Sequence, residues 1–244
     1  MRRVMFSVGL AALVLAAGPA SAQIRFDAPV TFDGQRPAPP QVRRPVAAPA
    51  PRPKPGVRAY VLFDVESMAA SRTFKATTGS ARFNAFGGGV EATNIWRRVF
   101  IRGAYSKMKK DAERAFVLEG QVIQNGVTGS VEMAPIELAA GWRAVPRAGR
   151  GRYAVYGGGG ALFLRYKETY TLATSDEITD QTFNGGTVFG GMDVGLGKWI
   201  VAGVEAQYRT VPGAIGESET SVSKAFNEKN LGGFALRVLV GFRK

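Results

Sequence analysis

The sequence predicts an all-β fold, an eight-stranded antiparallel up-and-down transmembrane β-barrel. Three observations carry this reading. From Gly56 onward, segments of about ten residues alternate apolar and polar side chains with a period of two. The connections between them alternate short and long, as barrels with turns on one side and loops on the other require. After the amino terminus, no apolar run is long enough to span a bilayer as a helix.

The chain begins Met1-Arg2-Arg3, followed by an apolar run from Val4 to Ala17, a Gly18-Pro19 break and Ala20-Ser21-Ala22. A basic start, a short apolar stretch and a small-x-small site predict a secretory signal peptide over 1–22. Residues 23–56 read as a linker. Its Arg36–Pro40 and Pro49–Pro55 runs bury no core and favour extended polyproline conformation. At ~3.1 Å per residue, Arg36 to Pro55 reaches on the order of 60 Å. Its arginines could touch the anionic cell-wall polymer, or it serves as a plain spacer. Residues 57–244 form the predicted barrel.

The first strand is read over Arg58–Ser67, with Ala59, Val61, Phe63 and Val65 outward and Tyr60, Leu62, Asp64 and Glu66 inward. The second covers about Asn84–Ala92, with Phe86, Gly88 and Val90 outward and Glu91 inward. The third starts near Arg98, turns Val99, Ile101 and Tyr105 out and Arg102 in, and can extend through Ala115–Val122 beyond the membrane. The fourth runs from about Ser130 to Arg143, with Ile136, Leu138, Ala140 and Trp142 out and Glu137 in; Pro135 predicts a bulge. The fifth is Arg152–Tyr166, with Tyr156, Leu162, Leu164 and Tyr166 outward and Phe163 and Arg165 inward. The sixth is about Phe183–Val194, with Val188, Met192 and Val194 outward and Asp193 inward. The seventh is Trp199–Arg209, with Ile200, Ala202, Val204 and Tyr208 outward and Glu205, Gln207 and Arg209 inward. The eighth, Leu231–Arg243, puts Phe234, Leu236, Val238, Val240 and Phe242 on one face and Arg237 on the other.

Asn94–Trp96, Val145–Gly151 and Gly195–Lys198 are short connections; Met68–Phe83, Lys107–Gly129, Lys167–Gln181 and Thr210–Lys229 are long. An even strand number puts both barrel ends on the linker's side, which is the periplasm of an exported chain. Trp96, Trp142, Trp199 and Phe242 at one rim, with Tyr166 and Tyr208 at the other, fit aromatic girdles.

The predicted lumen holds the acids Asp64, Glu66, Glu91, Glu137, Asp193 and Glu205 and the bases Arg102, Arg165, Arg209 and Arg237. Eight strands make a barrel just wide enough for side chains to fill. Charges there must pair, so interlocking salt bridges are expected ahead of a conducting path. Inward glycines (Gly87, Gly89, Gly157, Gly159, Gly191, Gly203, Gly233 and Gly241) leave room for water or for larger neighbours.

The chain has no His and no Cys. Ser-His-Asp and Cys-His chemistry and imidazole or thiolate metal ligands are therefore ruled out, and neither an enzyme nor a cofactor or metal is expected. Asp64 and Glu66 could form an acid/base pair but are expected to neutralise arginines. Gly87–Gly89 and Gly157–Gly160 precede no Lys-Ser/Thr and are not phosphate loops. The net charge of +13 is concentrated in the linker and predicted turns, where it meets anionic head groups. An exported chain gives no reason to expect nucleic acid as a partner.

The signal peptide, the proline-rich linker and the amphipathic strands together resemble the small outer-membrane barrels of the OmpA-like and OmpW-like groups over about Val57 to Lys244. The likeness to the OmpW-like group rests on Met133-Ala134-Pro135-Ile136-Glu137-Leu138-Ala139-Ala140-Gly141-Trp142, a proline before an apolar strand that ends in an aromatic. The resemblance implies a long projecting hairpin of strands three and four and passage of small hydrophobic molecules through a lateral opening. OmpA-like proteins tether the envelope through a separate domain, which is not expected here. The last strand is similar to the carboxy-terminal signal read by the barrel-assembly machinery, although Arg243-Lys244 follow Phe242.

Three functions are open at this point. One is a barrel with an envelope-structural role or limited permeation of small solutes. Another is a surface interaction protein binding lipopolysaccharide or a partner through long loops carrying Arg72, Lys75, Arg82, Lys107, Lys109, Lys110 and Arg114. The last is a soluble periplasmic carrier of lipocalin type with its apolar face inside.

Overall fold

In the computed structural model, residues 55–96, 98–118, 121–145, 152–171, 179–215 and 221–243 are described. The predicted signal peptide and residues 23–54 of the predicted linker lie outside them, while Gly56, read as the end of the linker, opens the first strand. The strands are β1 (Gly56–Met68), β2 (Arg82–Trp96), β3 (Val99–Leu118), β4 (Gln121–Ala144), β5 (Tyr153–Tyr170), β6 (Thr179–Gly195), β7 (Ile200–Thr210) and β8 (Gly233–Arg243), with helices α1 (Ser71–Thr78) and α2 (Val222–Ala225) in two of the connections. Each strand pairs with the next, and β1 pairs antiparallel with β8, so the ring of eight closes.

Closure leaves no free sheet edge around the ring itself, and the period of two sorts every strand into two faces. In β8, Leu236 is 58% exposed while Arg237 beside it is 1% exposed. Val61, Phe63, Val90, Ile101, Leu138, Val188, Val204 and Val238 share the exposed outer face. An apolar exterior around a charged interior is a lipid-facing wall, and it excludes the lipocalin arrangement. Trp96, Trp142, Trp199 and Phe242 are exposed around the rim where β1 begins and β8 ends. The Arg98 guanidinium sits 5.5 Å from the Trp142 ring. Tyr208 is on the outer face as read, but Tyr166 is buried inside.

β5 is inverted relative to the sequence reading. The register sets Leu162 opposite Glu137, so Tyr156, Leu162, Leu164 and Tyr166 point inward, and Phe163 and Arg165 point out. Both faces of this strand are apolar, so polarity could not rank them. Gly157 and Gly159 accordingly lie outward, and Gly158 and Gly160 inward. The bulge expected at Pro135 is also absent: Tyr105–Ile136 and Met108–Met133 keep one offset across it, and the shifts fall near Ala92–Trp96 and Glu113–Ala115 instead. Pro135 faces the lumen and lacks only its own donor.

The span Lys107–Gly129, read as a connection, is mostly strand. β3 and β4 stay paired out to Leu118 and Gln121, while β5 stops at Tyr170 opposite Gly129. Beyond that level Ala112–Leu118 pairs only with β4, and at ~3.3 Å per residue it projects roughly 20 Å past its neighbours.

Inward glycines of one strand receive aromatic rings of the next. Tyr60 lies opposite Gly89, Phe100 opposite Gly141 and Tyr156 opposite Gly191. A Cβ added at Gly89 would come within 2.5 Å of both the Tyr60 hydroxyl and the Gly103 carbonyl. The rings thus cover bare backbone, as aromatic rescue of sheet glycines does.

Two outcomes follow for urea unfolding from lipid vesicles. Gly89→Ala lowers stability by roughly 1–3 kcal/mol, whereas Gly103→Ala, whose added Cβ meets nothing nearer than 3.6 Å, is neutral. Leu236→Arg puts a charge in hydrocarbon at ~2–4 kcal/mol and reduces insertion, read as loss of the heat-modifiable band on gels.

Candidate functional site

The lumen is filled by three layers. The middle one is ionic. Strand register alone brings Asp64 beside Arg237 and Arg237 beside Glu205. Arg237 is hemmed in by acids: its Nε donates to Asp64 at 2.7 Å, its Nη2 to Asp64 and to Glu137 at 2.9 Å each, and Glu205 lies at 3.5 Å. Arg209 donates to Glu66, to Asp64 at 2.9 Å and to Glu137 at 2.7 Å. Its Nη2 also reaches Gln207 at 3.1 Å, which in turn donates to Thr187 at 2.7 Å. Arg102 donates to Glu205 at 2.9 Å and lies 3.6 Å from Glu137. Glu137 therefore sits among three guanidiniums. Its strand, β4, lies across the barrel from β8, so these bonds cross the lumen as well as following the wall.

The layer toward the start of β1 and the end of β8 mixes charge and aromatic rings. Arg58 donates to Asp193 at 2.6 Å, and Arg143 lies 2.8 Å from Glu91 and 3.0 Å from Asp193. The Arg102 guanidinium stacks 3.5 Å from the Phe189 ring centroid, and Arg143 lies 5.4 Å from Phe100 and 5.3 Å from Tyr156. Phe100, Tyr156 and Phe189 pack together on edge or tilted, with centroids 6.1–6.4 Å apart. Cations over ring faces lose less on leaving water than bare ions would.

The third layer, toward the projecting hairpin, is apolar. Met68, Phe83, Met108, Met133, Leu162 and Leu231 pack there, and α1 covers them with Phe74. The Phe74 ring meets Phe83 edge-on at 5.2 Å. No side chain of α1 caps its own start. Glu228, from the β7–β8 connection, accepts from the Arg72 and Thr73 amides at 3.1 and 2.8 Å and from the Thr73 hydroxyl at 2.8 Å, supplying both partners and negative charge at a helix start. Gly79 at φ +70° ends it.

Of the predicted lumen residues, Asp64, Glu66, Glu91, Arg102, Glu137, Asp193, Glu205, Arg209 and Arg237 are inside and buried. Arg165 is not: its side chain is 63% exposed on the outer wall, paired with Asp180 at 2.6 Å. Arg58 and Arg143 were missed as lumen cations because both sit at strand ends, where arginine reads as rim charge. Parity with Asp64 and Glu137 was the available signal. The predicted loop cations divide. Arg72 and Lys75 are exposed on α1. Lys107, Lys109 and Lys110 are on β3, not in a loop. Lys107 pairs with Glu132 at 2.7 Å on the outer wall, and Lys110 donates to the Ser80 and Arg82 carbonyls at 3.3 and 3.1 Å. Among the described residues, no group of three or more acids is placed to hold a metal ion.

No protein-family model and no curated protein sequence matches this chain. Among solved structures, it is similar to the outer-membrane protein OprG from Pseudomonas aeruginosa (10% identity, 79% of this chain and 97% of that one, TM-score 0.49). It is also similar to Neisserial surface protein A (13%, 78% and 95%, 0.45) and to Ail, the attachment invasion locus protein of Yersinia pestis (9%, 78% and 98%, 0.44).

Removing one member of the ionic layer strands the others. Arg237→Met is expected to cost about 3–5 kcal/mol, measured by urea unfolding in vesicles. Arg165→Met, on the exposed outer wall, leaves the midpoint unchanged.

Proposed function

We propose that this barrel is a sealed outer-membrane anchor with an envelope-structural role, which holds its projecting hairpin and α1 at the outer surface, and that it is not an axial pore. The observation that carries the reading is the filled lumen. Asp64, Glu66, Arg102, Glu137, Glu205, Arg209 and Arg237 are each 2% exposed or less, and a polar solute would have to break their bonds to pass. The apolar layer is equally tight. The space between Met68, Met108, Met133, Leu162 and Leu231 amounts to about 10 Å³, roughly one water. A small apolar solute therefore finds no preformed path along the axis either.

In this reading the chain is exported on residues 1–22, the proline-rich linker and both barrel ends are periplasmic, and the hairpin points outward. Trp96, Trp142, Trp199 and Phe242 mark the inner interface. Arg72 and Lys75 of α1, and Lys107 and Lys109 of the outer wall, meet lipopolysaccharide phosphates. The barrel-assembly machinery reads β8, whose outer face ends in Phe242.

Planar bilayers containing the refolded protein are expected to carry no steady ion current, and vesicles to show no swelling in a small sugar. A steady open level in the wild-type protein would favour limited permeation over anchoring.

A further inference from the structure

We propose that the outer wall of β3–β5, at the level where its apolar surface ends, holds the head group of a lipid that bears a phosphate monoester. The site rests on the outward orientation of the hairpin in the reading above, and it gives the phosphate contacts expected there one place and one chemical class. The orientation of β5 builds it, because Arg165 and Lys167 share the outer face with Lys107 and Lys109.

The registers set these side chains in rows. Tyr105, Ile136 and Phe163 are cross-strand neighbours, and all three are exposed. The next row toward the hairpin holds Lys107, Ala134 and Arg165. Ala134 pairs with Arg165, and the offset that joins Tyr105 to Ile136 and Met108 to Met133 puts Lys107 on its other side. Beyond it lie Lys109, Glu132 and Lys167, with Asp180 on the far side of Lys167. Lys107 and Arg165 thus stand two strands apart, roughly 10 Å, with a small alanine between them. Phosphate oxygens over Ala134 are approached by a cation from either side, while acyl chains lie against the apolar row.

The charge of the patch narrows the class. Glu132 lies 2.7 Å from Lys107, and Asp180 lies 2.6 Å from Arg165. The four side chains of these pairs are 30–63% exposed, and exposed pairs are worth little. Their cations can therefore turn to a stronger acceptor. Four cations against two carboxylates leave two positive charges. Arg82 and Asp111, which the Ala85–Met108 offset brings opposite each other one row further out, cancel. A phosphate monoester carries about −1.5 to −2 near neutral pH, whereas the diester of an ordinary phospholipid carries a single charge. The patch matches the monoester, and a guanidinium beside an ammonium suits its oxygens. Free phosphate would gain nothing from the apolar row, which favours a lipid.

The test is calorimetric titration of dioctanoyl phosphatidic acid, dioctanoyl phosphatidylglycerol and inorganic phosphate into the refolded full chain in a neutral detergent. Phosphatidic acid is expected to saturate the site about tenfold more tightly than phosphatidylglycerol, the worth of one further charged contact, and inorganic phosphate to bind more weakly than phosphatidic acid. Lys107→Gln combined with Arg165→Gln, confirmed folded by heat-modifiability, should abolish the preference, whereas Arg72→Gln combined with Lys75→Gln on α1 leaves it unchanged. If the first pair does not fold, Lys109→Gln with Lys167→Gln decides. No saturation, equal binding of the two lipids, inorganic phosphate binding as tightly as phosphatidic acid, or a preference that survives in the folded outer-wall variants would overturn the proposal. None of these outcomes bears on the sealed lumen, which the ion-current measurement decides.

Discussion

The structure depends on the bonds that Arg237 and Arg209 make with Asp64 and Glu137 across the middle of the lumen. An isolated buried ion is costly, so a barrel of this width is viable only if each interior charge meets its partner. The pairs along the wall, Asp64–Arg237 and Arg237–Glu205, follow from neighbouring registers. The bonds to Glu137 do not, because β4 and β8 are on opposite sides of the ring. They form only once the ring has closed. The ionic layer thus rewards the closed state in particular, and a one-residue slip of β8 would exchange Arg237 for Leu236 or Val238 and leave three carboxylates without it.

The flanking layers protect this arrangement. On the side where β1 begins and β8 ends, Arg58 and Arg143 pair with Asp193 and Glu91, and the rings of Phe100, Tyr156 and Phe189 pack together beside them. On the hairpin side, methionines and Phe74 form an apolar stopper that is held down by Glu228 from another connection. Buried apolar side chains on both sides lower the local dielectric, which strengthens the central electrostatics. The same packing leaves the exposed charge of this end on α1 and the outer wall, at Arg72, Lys75 and Lys109.

Much of the barrel was legible in the sequence because strand parity is strict. In β1, β7 and β8, a charge in mid-strand flanked by aliphatic residues marked the two faces without ambiguity. β5 was misread because its lumen half is apolar: Leu162, Leu164 and Tyr166 fill the stopper, and only the register with Glu137 reveals it. Arg165 was misplaced with it. The extension of the third strand was legible in the Ala115-Phe116-Val117-Leu118 run, but the fourth, read from about Ser130, begins at Gln121, where Gln124-Asn125-Gly126 breaks the apolar alternation. The α1 helix is short and borrows its cap from Glu228, a long-range contact that no local pattern encodes. Which carboxylate meets which arginine is likewise a property of ring closure.

The most direct measurement is a double-mutant cycle between Arg237 and Glu137, using Arg237→Met, Glu137→Gln and the pair, with unfolding free energies in lipid vesicles. Because these residues are joined only across the closed lumen, a coupling of about 1 kcal/mol or more is predicted, well above the ~0.3–0.5 kcal/mol expected of independent sites. Additive effects would contradict the cross-lumen network and with it the sealed barrel.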